Sequence, residues 1–307
     1  MDVAFAADRA YLPHAATMAR SVLAHTDPGA VRLHLLHPRA LDPDDLGRLR
    51  AMVESLGSTV ATHAIDDPRM AALPATGRIS AVMWYRILLP ELLPDAPRAL
   101  YLDCDIVATA DLAPLMAVDL EGSAVGAVHN VPYGGADDAA RVGLPPGRRY
   151  FNSGVLLLDL ERWRHTDVTD RLVAFARTEG ERLVFPDQDA LNVVLADDRA
   201  VLHPRWNCQN SLFFSPEAAD VFGADVVQAA CADPAIVHFE GPALAKPWHY
   251  LSPHPHRAAY LRHRAATPWP HGAIEGRTLT NRLLRKLPHR MMLRALARQA
   301  RRRSEAA

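Results

Sequence analysis

The chain has 307 residues, of which 49% are hydrophobic and 22% are charged, and its formal net charge is −1. It is long enough for one large α/β domain or two smaller ones, and no stretch approaches the roughly 20 apolar residues of a membrane-spanning helix. The three cysteines, Cys104, Cys208 and Cys231, share no close spacing, which argues against a disulfide framework or a structural zinc site. Because the N-terminus also lacks the pattern of an export signal, a reducing cytoplasm is the expected location.

The small net charge conceals an uneven distribution. From Arg277 onward the chain has ten basic residues and one acid, Glu305, which gives this tail a charge of +9. Residues 1–276 hold the other 24 basic and 34 acidic residues, a charge of −10. An acidic body with a basic tail indicates a polyanionic partner for the tail, either anionic lipid or nucleic acid.

The first 65 residues alternate between strand and helix patterns. The predicted elements are a strand over Asp2 to Ala7, a helix with apolar positions at Ala15, Met18, Ala19 and Val22, a strand over Val31 to His37, a helix over Leu41 to Leu56, and a strand over Thr59 to Ile65. This β-α-β-α-β order predicts an α/β fold with a mostly parallel sheet and helices on both faces.

The pattern is less regular further along the chain. The predicted elements are a helix over Ser80 to Leu89 that ends at Pro90, a strand over Ser123 to His129, a central strand over Val155 to Leu160, and helices over Leu172 to Glu179 and Ala190 to Leu195. Residues 131–147 are rich in Gly and Pro and predict a long irregular connection of the kind that covers active sites.

The most informative stretch is Ala99 to Val107, an apolar run that predicts a buried strand and has two carboxylates one residue apart near its carboxyl end. On a regular strand Asp103 and Asp105 would point the same way, whereas Cys104 would point to the other face and pack there. Two buried carboxylates repel each other unless a cation lies between them, so the pair predicts a divalent metal site. In isolation the two residues could equally be strand-end caps or surface residues.

Several polar residues allow both a structural and a functional interpretation. His238, in an apolar run, is either a core histidine bonded to backbone or a metal ligand. Asp187 follows Pro186 and is suited to cap a helix N-terminus, a role that does not prevent it from binding sugar. His254 and His256 lie in a Pro-rich loop and are expected at the surface.

Taken together, six separated motifs in order resemble the retaining glycosyltransferases of family 8, over about residues 2 to 250. The matching stretches are Phe5-Ala6-Ala7-Asp8, Ser80 with Tyr85 and Arg86, Tyr101-Leu102-Asp103-Cys104-Asp105, Tyr150-Phe151-Asn152-Ser153-Gly154-Val155, Asp187-Gln188-Asp189-Ala190-Leu191-Asn192, and Val237-His238-Phe239-Glu240-Gly241 through Lys246-Pro247-Trp248. The resemblance implies a GT-A fold, a nucleotide-binding α/β sandwich, in agreement with the β-α-β pattern.

The resemblance also implies a metal and its ligands. Matched position by position, Asp103, Asp105 and His238 would be the protein ligands of a Mn²⁺ ion that bridges the two phosphates of a UDP-sugar. The chemistry agrees, because carboxylates alone suit Mg²⁺ and an added imidazole shifts the preference toward Mn²⁺.

The same matching implies the residues that bind the donor. Lys246 would contact the leaving diphosphate, Asp8 uracil or ribose, and the neighbouring motif positions Ala6, Tyr11, Cys104 and Gly241 would complete the donor site. The residues expected around the donor hexose, galactose or glucose, are Arg86, Asn152, Asp187 and Gln188, of which Asp187 and Gln188 join Lys246 as candidate catalytic residues. Since the neutral amide of Gln188 is a poor nucleophile, we expect front-face attack rather than a covalent glycosyl-enzyme.

Three positions depart from the family pattern. Ala10 replaces a residue that is often polar near the nucleotide, and Asn130 replaces a common carboxylate near the sugar or acceptor. Pro242 to Ala245 forms a small insertion before Lys246. These differences leave the acceptor, expected to be a glycan or a lipid-linked glycan, open.

The basic tail predicts a second region of the protein. Leu279, Leu283, Leu284 and Leu287 recur at helical spacing, and the apolar stripe continues among arginines after Pro288. This pattern is typical of a helix lying on an anionic membrane surface, with a solvated or oligomer-packing helix as the alternative. No aromatic-interleaved motif supports nucleic acid as a partner. We therefore expect a catalytic domain over 1–265 and a membrane-associated tail over 266–307.

Two other functions remain open from the residues alone. The motif from Asp103 to Val107 also fits the nucleophile motif of haloacid dehalogenase-type phosphohydrolases, although that motif normally opens its domain. The chain could also be a sugar-nucleotide-binding protein without turnover.

Overall fold

The computed structural model describes residues 1–75, 81–132, 137–270 and 274–286. The strands in these ranges are β1 (Asp2–Ala6), β2 (Arg32–Pro38), β3 (Thr59–Ile65), β4 (Arg98–Leu102), β5 (Ile106–Ala108), β6 (Val125–His129), β7 (Phe151–Asp159), β8 (Arg199–Val201), β9 (Cys208–Gln209) and β10 (Ile236–His238). The α-helices are α1 (Leu12–His25), α2 (Pro43–Ser55), α3 (Pro68–Ala71), α4 (Leu89–Leu92), α5 (Ala113–Met116), α6 (Asp138–Arg141), α7 (Leu160–His165), α8 (Val168–Glu179), α9 (Pro186–Val194), α10 (Asn210–Phe214), α11 (Glu217–Phe222), α12 (Ala224–Ala232), α13 (Arg257–Ala265) and α14 (Leu279–Leu284). Short 3₁₀ helices cover Pro28–Ala30, Ala81–Leu88, Gly180–Arg182, Pro204–Asn207 and Ala243–Ala245.

The predicted α/β class and mostly parallel sheet are confirmed. The main sheet has seven strands in the order β3-β2-β1-β4-β7-β6-β8. Its first four strands are parallel, β7 runs antiparallel to both β4 and β6, and β8 is parallel to β6. A smaller sheet has the order β5-β10-β9. Helices cover both faces of the main sheet, which gives the α/β sandwich that the resemblance implied.

Strand β7 shows why helices cover both faces of the main sheet. Its residues from Phe151 to Leu158 are buried without interruption. Leu157 packs into the cluster that contains α1, whereas Leu156 and Leu158 pack into the cluster that contains α7 to α9. Alternate side chains of one strand therefore supply two separate cores. On α1, the four predicted apolar positions all lie in the first of these clusters.

The predicted continuous strand from Ala99 to Val107 is wrong. Strand β4 ends at Leu102, Asp103 to Asp105 form a turn, and the chain resumes as β5 in the smaller sheet. Backbone pairing explains the break, because Asp103 N donates to Gly154 O of the main sheet at 2.8 Å while Asp105 O accepts from Phe239 N at 2.9 Å. The two carboxylates therefore lie where the chain passes from one sheet to the other.

The segment predicted as one helix from Ser80 to Leu89 has a different structure. Ser80 lies outside the described residues, and Ala81–Leu88 form a 3₁₀ helix that α4 follows directly. Pro90 lies in the first turn of α4, where the missing N–H has no helical partner to lose, so it helps to begin a helix rather than to end one. The predicted irregular connection over 131–147 contains the short helix α6, and its residues 133–136 are outside the described ranges.

Two expectations for single polar residues are wrong. The N-cap of α9 is Phe185, and Asp187 lies inside the first turn, so its carboxylate is not a helix cap. His254 is buried, with only 4% of its surface exposed, and packs edge-on against Phe213 and Phe239 with ring centroids 4.6 Å apart in each pair. Aromatic neighbours that are distant in sequence thus bury a histidine that its Pro-rich surroundings placed at the surface.

Only the beginning of the predicted tail helix lies within the described residues. Helix α14 presents Leu279 and Leu283 to solvent, with 77% and 66% of their surfaces exposed. Leu287 and everything after it are outside the described ranges, so the rest of the apolar stripe stays a prediction. Among the described helices, none combines the length and the apolar character that crossing a bilayer requires.

Candidate active site

A cavity of about 930 Å³ opens at the carboxyl ends of β1 and β4. Ligands of α/β sheets bind at this edge, because the chain leaves the strands there in loops. All of the predicted site residues line this cavity: Ala6, Asp8, Tyr11, Arg86, Asp103, Cys104, Asp105, Asn152, Asp187, Gln188, His238, Gly241 and Lys246. The structure thus brings together residues that are up to 240 positions apart in the sequence.

The predicted metal ligands converge on one point of this cavity. Asp103, Asp105 and His238 each offer a ligand atom, and these three atoms lie within 4.8 Å of one another. The pairing of β10 with β5 places His238 opposite Ile106, directly beside the second carboxylate. Two carboxylates and one imidazole form a donor set that suits a divalent transition metal.

A neighbouring amide fixes the orientation of the His238 ring. His238 Nδ1 lies 2.9 Å from Asn207 Oδ1, so Nδ1 carries the proton that this acceptor requires. Its Nε2 lies 3.3 Å from Asp105 Oδ1 and faces the carboxylates. Once Nε2 has lost its own proton to a metal, its lone pair is free to bind the ion while Nδ1–H stays on Asn207, which is the arrangement found for most metal-binding histidines.

Lys246 places a cation at one of these carboxylates, Asp105. Its Nζ contacts Asp105 Oδ2 and donates to Phe239 O at 3.0 Å. Burial alone would raise the pKa of Asp105, but the charges of Lys246 and His238 hold it well below its usual range. The predicted insertion before Lys246 forms the 3₁₀ helix Ala243–Ala245, which leaves Lys246 within reach of Asp105. A site that holds a lysine ammonium against a carboxylate in this way is also suited to hold a metal cation.

Arg86 anchors the opposite wall of the cavity. Its guanidinium is buried, donates to Ser153 O at 2.6 Å, and pairs with Asp103 Oδ1 at 3.0 Å and Asp187 Oδ2 at 3.3 Å. It also lies over the ring of Tyr101, 4.1 Å from the centroid. One arginine therefore links the metal-site carboxylate to a second carboxylate deeper in the cavity.

Asp187 has a pKa that is shifted toward neutral pH. Burial raises its pKa to about 6, and the nearby charge of Arg86 opposes that rise without cancelling it. Ser153 Oγ lies 3.4 Å from its Oδ2. A buried carboxyl at the wall of a polar cavity is suited to bind a ligand hydroxyl.

Gln188 and Asp189 differ in what their side chains can do. Gln188 lines the cavity, and its Oε1 accepts from Ser153 N at 2.8 Å. Asp189 points away and is fully buried, with its oxygens taken up by Arg141, Tyr150 Oη, and the backbone N–H groups of Val184 and Phe185. Only the first of these two residues can touch a ligand.

Cys104 was expected both to pack on a buried face and to lie in the donor site, and its position allows both. It packs in the core cluster of β1 and α1 and also forms part of the cavity wall, with Sγ 3.2 Å from Ala6 O. Burial raises the pKa of its thiol well above the usual value, so it stays protonated. Its part in the site is therefore to shape the wall.

Sequence reasoning missed several residues that support the site. Asn207 orients His238 and also donates through Nδ2 to Asn152 Oδ1 at 2.8 Å. Glu240 accepts from Ser211 N at 3.1 Å and lines the cavity. No local pattern marks Asn207, because its role depends on the 3₁₀ helix before β9 reaching β7 and β10. Glu240 could have been found from its position between His238 and Gly241.

Comparison with known proteins gives a consistent picture. The sequence model of glycosyl transferase family 8 matches residues 2–252. General stress protein A of Bacillus subtilis is 30% identical over 275 residues, which cover 88% of this chain and 94% of that protein. The lipopolysaccharide glucosyltransferase WaaO of Escherichia coli is 25% identical over 300 residues, which cover 94% of this chain and 85% of that protein.

The fold of this chain also matches that of a solved structure. A crystal structure of the galactosyltransferase LgtC in complex with donor and acceptor sugar analogues matches with a TM-score of 0.76 and 24% identity, covering 87% of this chain and 96% of that one. This likeness shows the GT-A-like fold that the sequence predicted. With the family match over residues 2–252, it leads to one conclusion: the chain belongs to glycosyltransferase family 8.

Proposed function

We propose that this glycosyltransferase is a retaining, Mn²⁺-dependent enzyme that transfers a hexose from a UDP-sugar to a glycan or lipid-linked acceptor. The observation that carries the proposal is the meeting of Asp103, Asp105 and His238 with Lys246 at one point of a large cavity. When bound, the metal would neutralise negative charge on the diphosphate of the donor. Lys246 would exchange its contact with Asp105 for one with a phosphate oxygen.

The other cavity residues fit the remaining parts of a donor. Arg86 and Asp187 form a fixed pair of groups that can donate to and accept from sugar hydroxyls. Both described hydrogen bonds of the Asn152 side chain use Oδ1, so its Nδ2 would donate to a hydroxyl. Asp8 and Tyr11 lie at the end of the cavity formed by the β1–α1 turn, where a uracil and ribose would be held.

The arrangement favours front-face attack. Gln188 is neutral, and the Asp189 carboxylate is buried behind Arg141, so neither is suited to form a covalent glycosyl-enzyme. In the proposed step the bond from the anomeric carbon to the phosphate oxygen breaks as the acceptor oxygen bonds to the same face. The acceptor proton passes to the leaving phosphate oxygen, which Lys246 helps to stabilise.

A donor screen tests this proposal. We expect release of UDP from one member of a panel of UDP-hexoses, with Mn²⁺ present and absent, and loss of that release in Asp103→Asn and Asp105→Asn. The control is Asp197→Asn, which removes an exposed carboxylate that does not line the cavity. UDP release that persists in both site variants would exclude the metal assignment.

The same assay separates the two alternatives. A phosphohydrolase would release phosphate from simple phosphate esters without releasing UDP. A binding protein without turnover would bind UDP-sugar but neither hydrolyse nor transfer it.

We further propose that residues 266–307 hold the catalytic domain, residues 1–265, at the inner face of the cell membrane. The exposed Leu279 and Leu283 on α14 supply the start of an apolar face, and each basic residue near an anionic surface contributes about 1 kcal/mol. The test is co-sedimentation with phosphatidylglycerol vesicles, with phosphatidylcholine vesicles as control. A chain that ends at residue 276 and binds as tightly as the full chain would disprove the role of the tail.

A further inference from the structure

Arg264, near the end of α13, is a buried cation beyond the residues that match the family. Only 8% of its surface is exposed. Its Nη1 donates to Tyr260 Oη at 3.0 Å and to His14 Nδ1 at 3.2 Å, and its Nε donates to Trp269 O at 2.8 Å. No carboxylate forms an ion pair with it within the described part of the chain. Since burying an unpaired guanidinium is unfavourable for stability, this arrangement calls for a functional reason.

One neutral acceptor of Arg264 is His14 on α1. Because Arg264 can only donate, His14 Nδ1 must accept, and the ring proton lies on Nε2. Burial, together with the charge of Arg264, lowers the pKa of His14 to about 3, so the ring stays neutral at ordinary pH. Tyr260 Oη, 2.5 Å from the same Nδ1, completes a three-residue network between α1 and α13.

This network holds a tryptophan next to the active site. The His14 ring stacks on Trp248 with centroids 3.6 Å apart and planes 26° apart. Trp248 is 6% exposed and packs with Val107 of β5 and Val237 of β10, the strands that adjoin Asp105 and His238. Trp248 therefore packs on one side against the smaller sheet, which carries His238, and on the other side against His14.

Trp248 in turn lies beside Lys246. The two residues share a turn in which His249 N donates to Lys246 O at 3.0 Å, and Lys246 Nζ lies 5.9 Å from the Trp248 ring. Tyr11, at the mouth of the cavity, lies edge-on to both His14 and Trp248. A shift of the His14 ring would thus displace two residues that line the donor cavity.

We propose that Arg264 is a positioning residue that sets the affinity for a nucleoside diphosphate, acting through His14 and Trp248 on Lys246. This inference rests on the proposed function, in which Lys246 contacts the diphosphate. It extends the functional unit past residue 252, where the family match ends, to include α13.

The test measures UDP binding by calorimetry with Mn²⁺ present, using the full chain. Arg264→Met is compared with Arg262→Met, because Arg262 is an exposed arginine on the same helix. We expect the Kd for UDP to rise about tenfold in the first variant and less than twofold in the second. Arg264→Gln, which keeps a polar end for Tyr260, is measured in parallel in case the methionine variant folds poorly, and the calorimetric stoichiometry gives the folded fraction.

A double-mutant cycle with Lys246→Met tells whether Arg264 affects UDP binding through Lys246 or through a general loss of packing in the protein. If Arg264 acts through Lys246, adding Arg264→Met to that background should weaken UDP binding by less than twofold. A further tenfold loss in the double variant, or equal Kd values for the Arg264 and Arg262 variants, would overturn the inference while the proposed function stands. Failure of the wild-type chain to bind UDP with Mn²⁺ would instead overturn the proposed function.

Discussion

Gly154 and His238 lie so close together that the site has no room for a side chain at position 154. A Cβ atom there would overlap His238 Cε1, and it would come 3.0 Å from His238 Nδ1 and 2.9 Å from Asp103 Oδ2. Two of the candidate metal ligands, one on β10 and one after β4, therefore pack directly on the backbone of β7. This close approach explains why a glycine lies in the middle of a buried strand.

We expect Gly154→Ala to weaken Mn²⁺ binding by about tenfold or more, because both ligands must move away from each other. Mn²⁺ titration followed by electron paramagnetic resonance measures the change. The control is Gly47→Ala on the exposed side of α2, where an added Cβ meets nothing within 4 Å. Equal Mn²⁺ affinity in the two variants would show that these residues are not the ligands.

Lys246→Met should change two affinities in opposite directions. Removing the ammonium that contacts Asp105 should strengthen Mn²⁺ binding in the absence of nucleotide, by about tenfold, since the metal no longer competes with Lys246. The same variant should weaken UDP binding, because a phosphate oxygen loses its cation. Separate titrations with Mn²⁺ alone and with UDP plus Mn²⁺ measure both effects. A parallel loss in both titrations would contradict the exchange of partners proposed for Lys246.

The family resemblance predicted which residues meet in the cavity, but not how the backbone brings them together. The pattern of strands and helices predicted the α/β class, since periodicity and helix signals are local. By contrast, the turn at Asp103 to Asp105 depends on pairing of the chain with Gly154 and Phe239, more than 50 residues away. Asn207, which orients His238, could not be predicted for the same reason. Only the family resemblance linked such distant positions before the structure did.

Asp187→Asn should make the protein more stable and less active at neutral pH. Burial raises the pKa of this carboxyl from 3.8 to about 6, so the native state holds the proton more tightly than the unfolded state does. Wild-type stability therefore falls as the pH rises from about 4 to about 6, and by pH 7.5 the ionised carboxylate costs up to about 3 kcal/mol.

In Asp187→Asn the neutral amide removes the cost of the ionised carboxylate above pH 6 and leaves the free energy of unfolding nearly unchanged at pH 4. Urea unfolding at pH 4 and pH 7.5, with a chelator present, measures the difference. A variant whose gain in stability is the same at both pH values would show that ionisation of Asp187 is not its cause. Hexose transfer should fall in this variant, because the amide carries no negative charge and replaces one acceptor oxygen of the carboxylate by an NH₂ donor.

Asp189→Asn tests the proposed front-face attack against a covalent glycosyl-enzyme formed on Asp189. The Asp189 carboxylate is fully buried and accepts from Arg141, Tyr150 and two backbone N–H groups, which makes it a structural acceptor in this fold. Its loss should lower the free energy of unfolding by about 3 kcal/mol, since Arg141 keeps only the partner Asp138. The kcat per folded molecule should stay within about tenfold of wild type. If Asp189 were instead the nucleophile of a glycosyl-enzyme, kcat would fall by about a thousandfold or more, and a rapid-quench measurement with stability-matched protein would separate these outcomes.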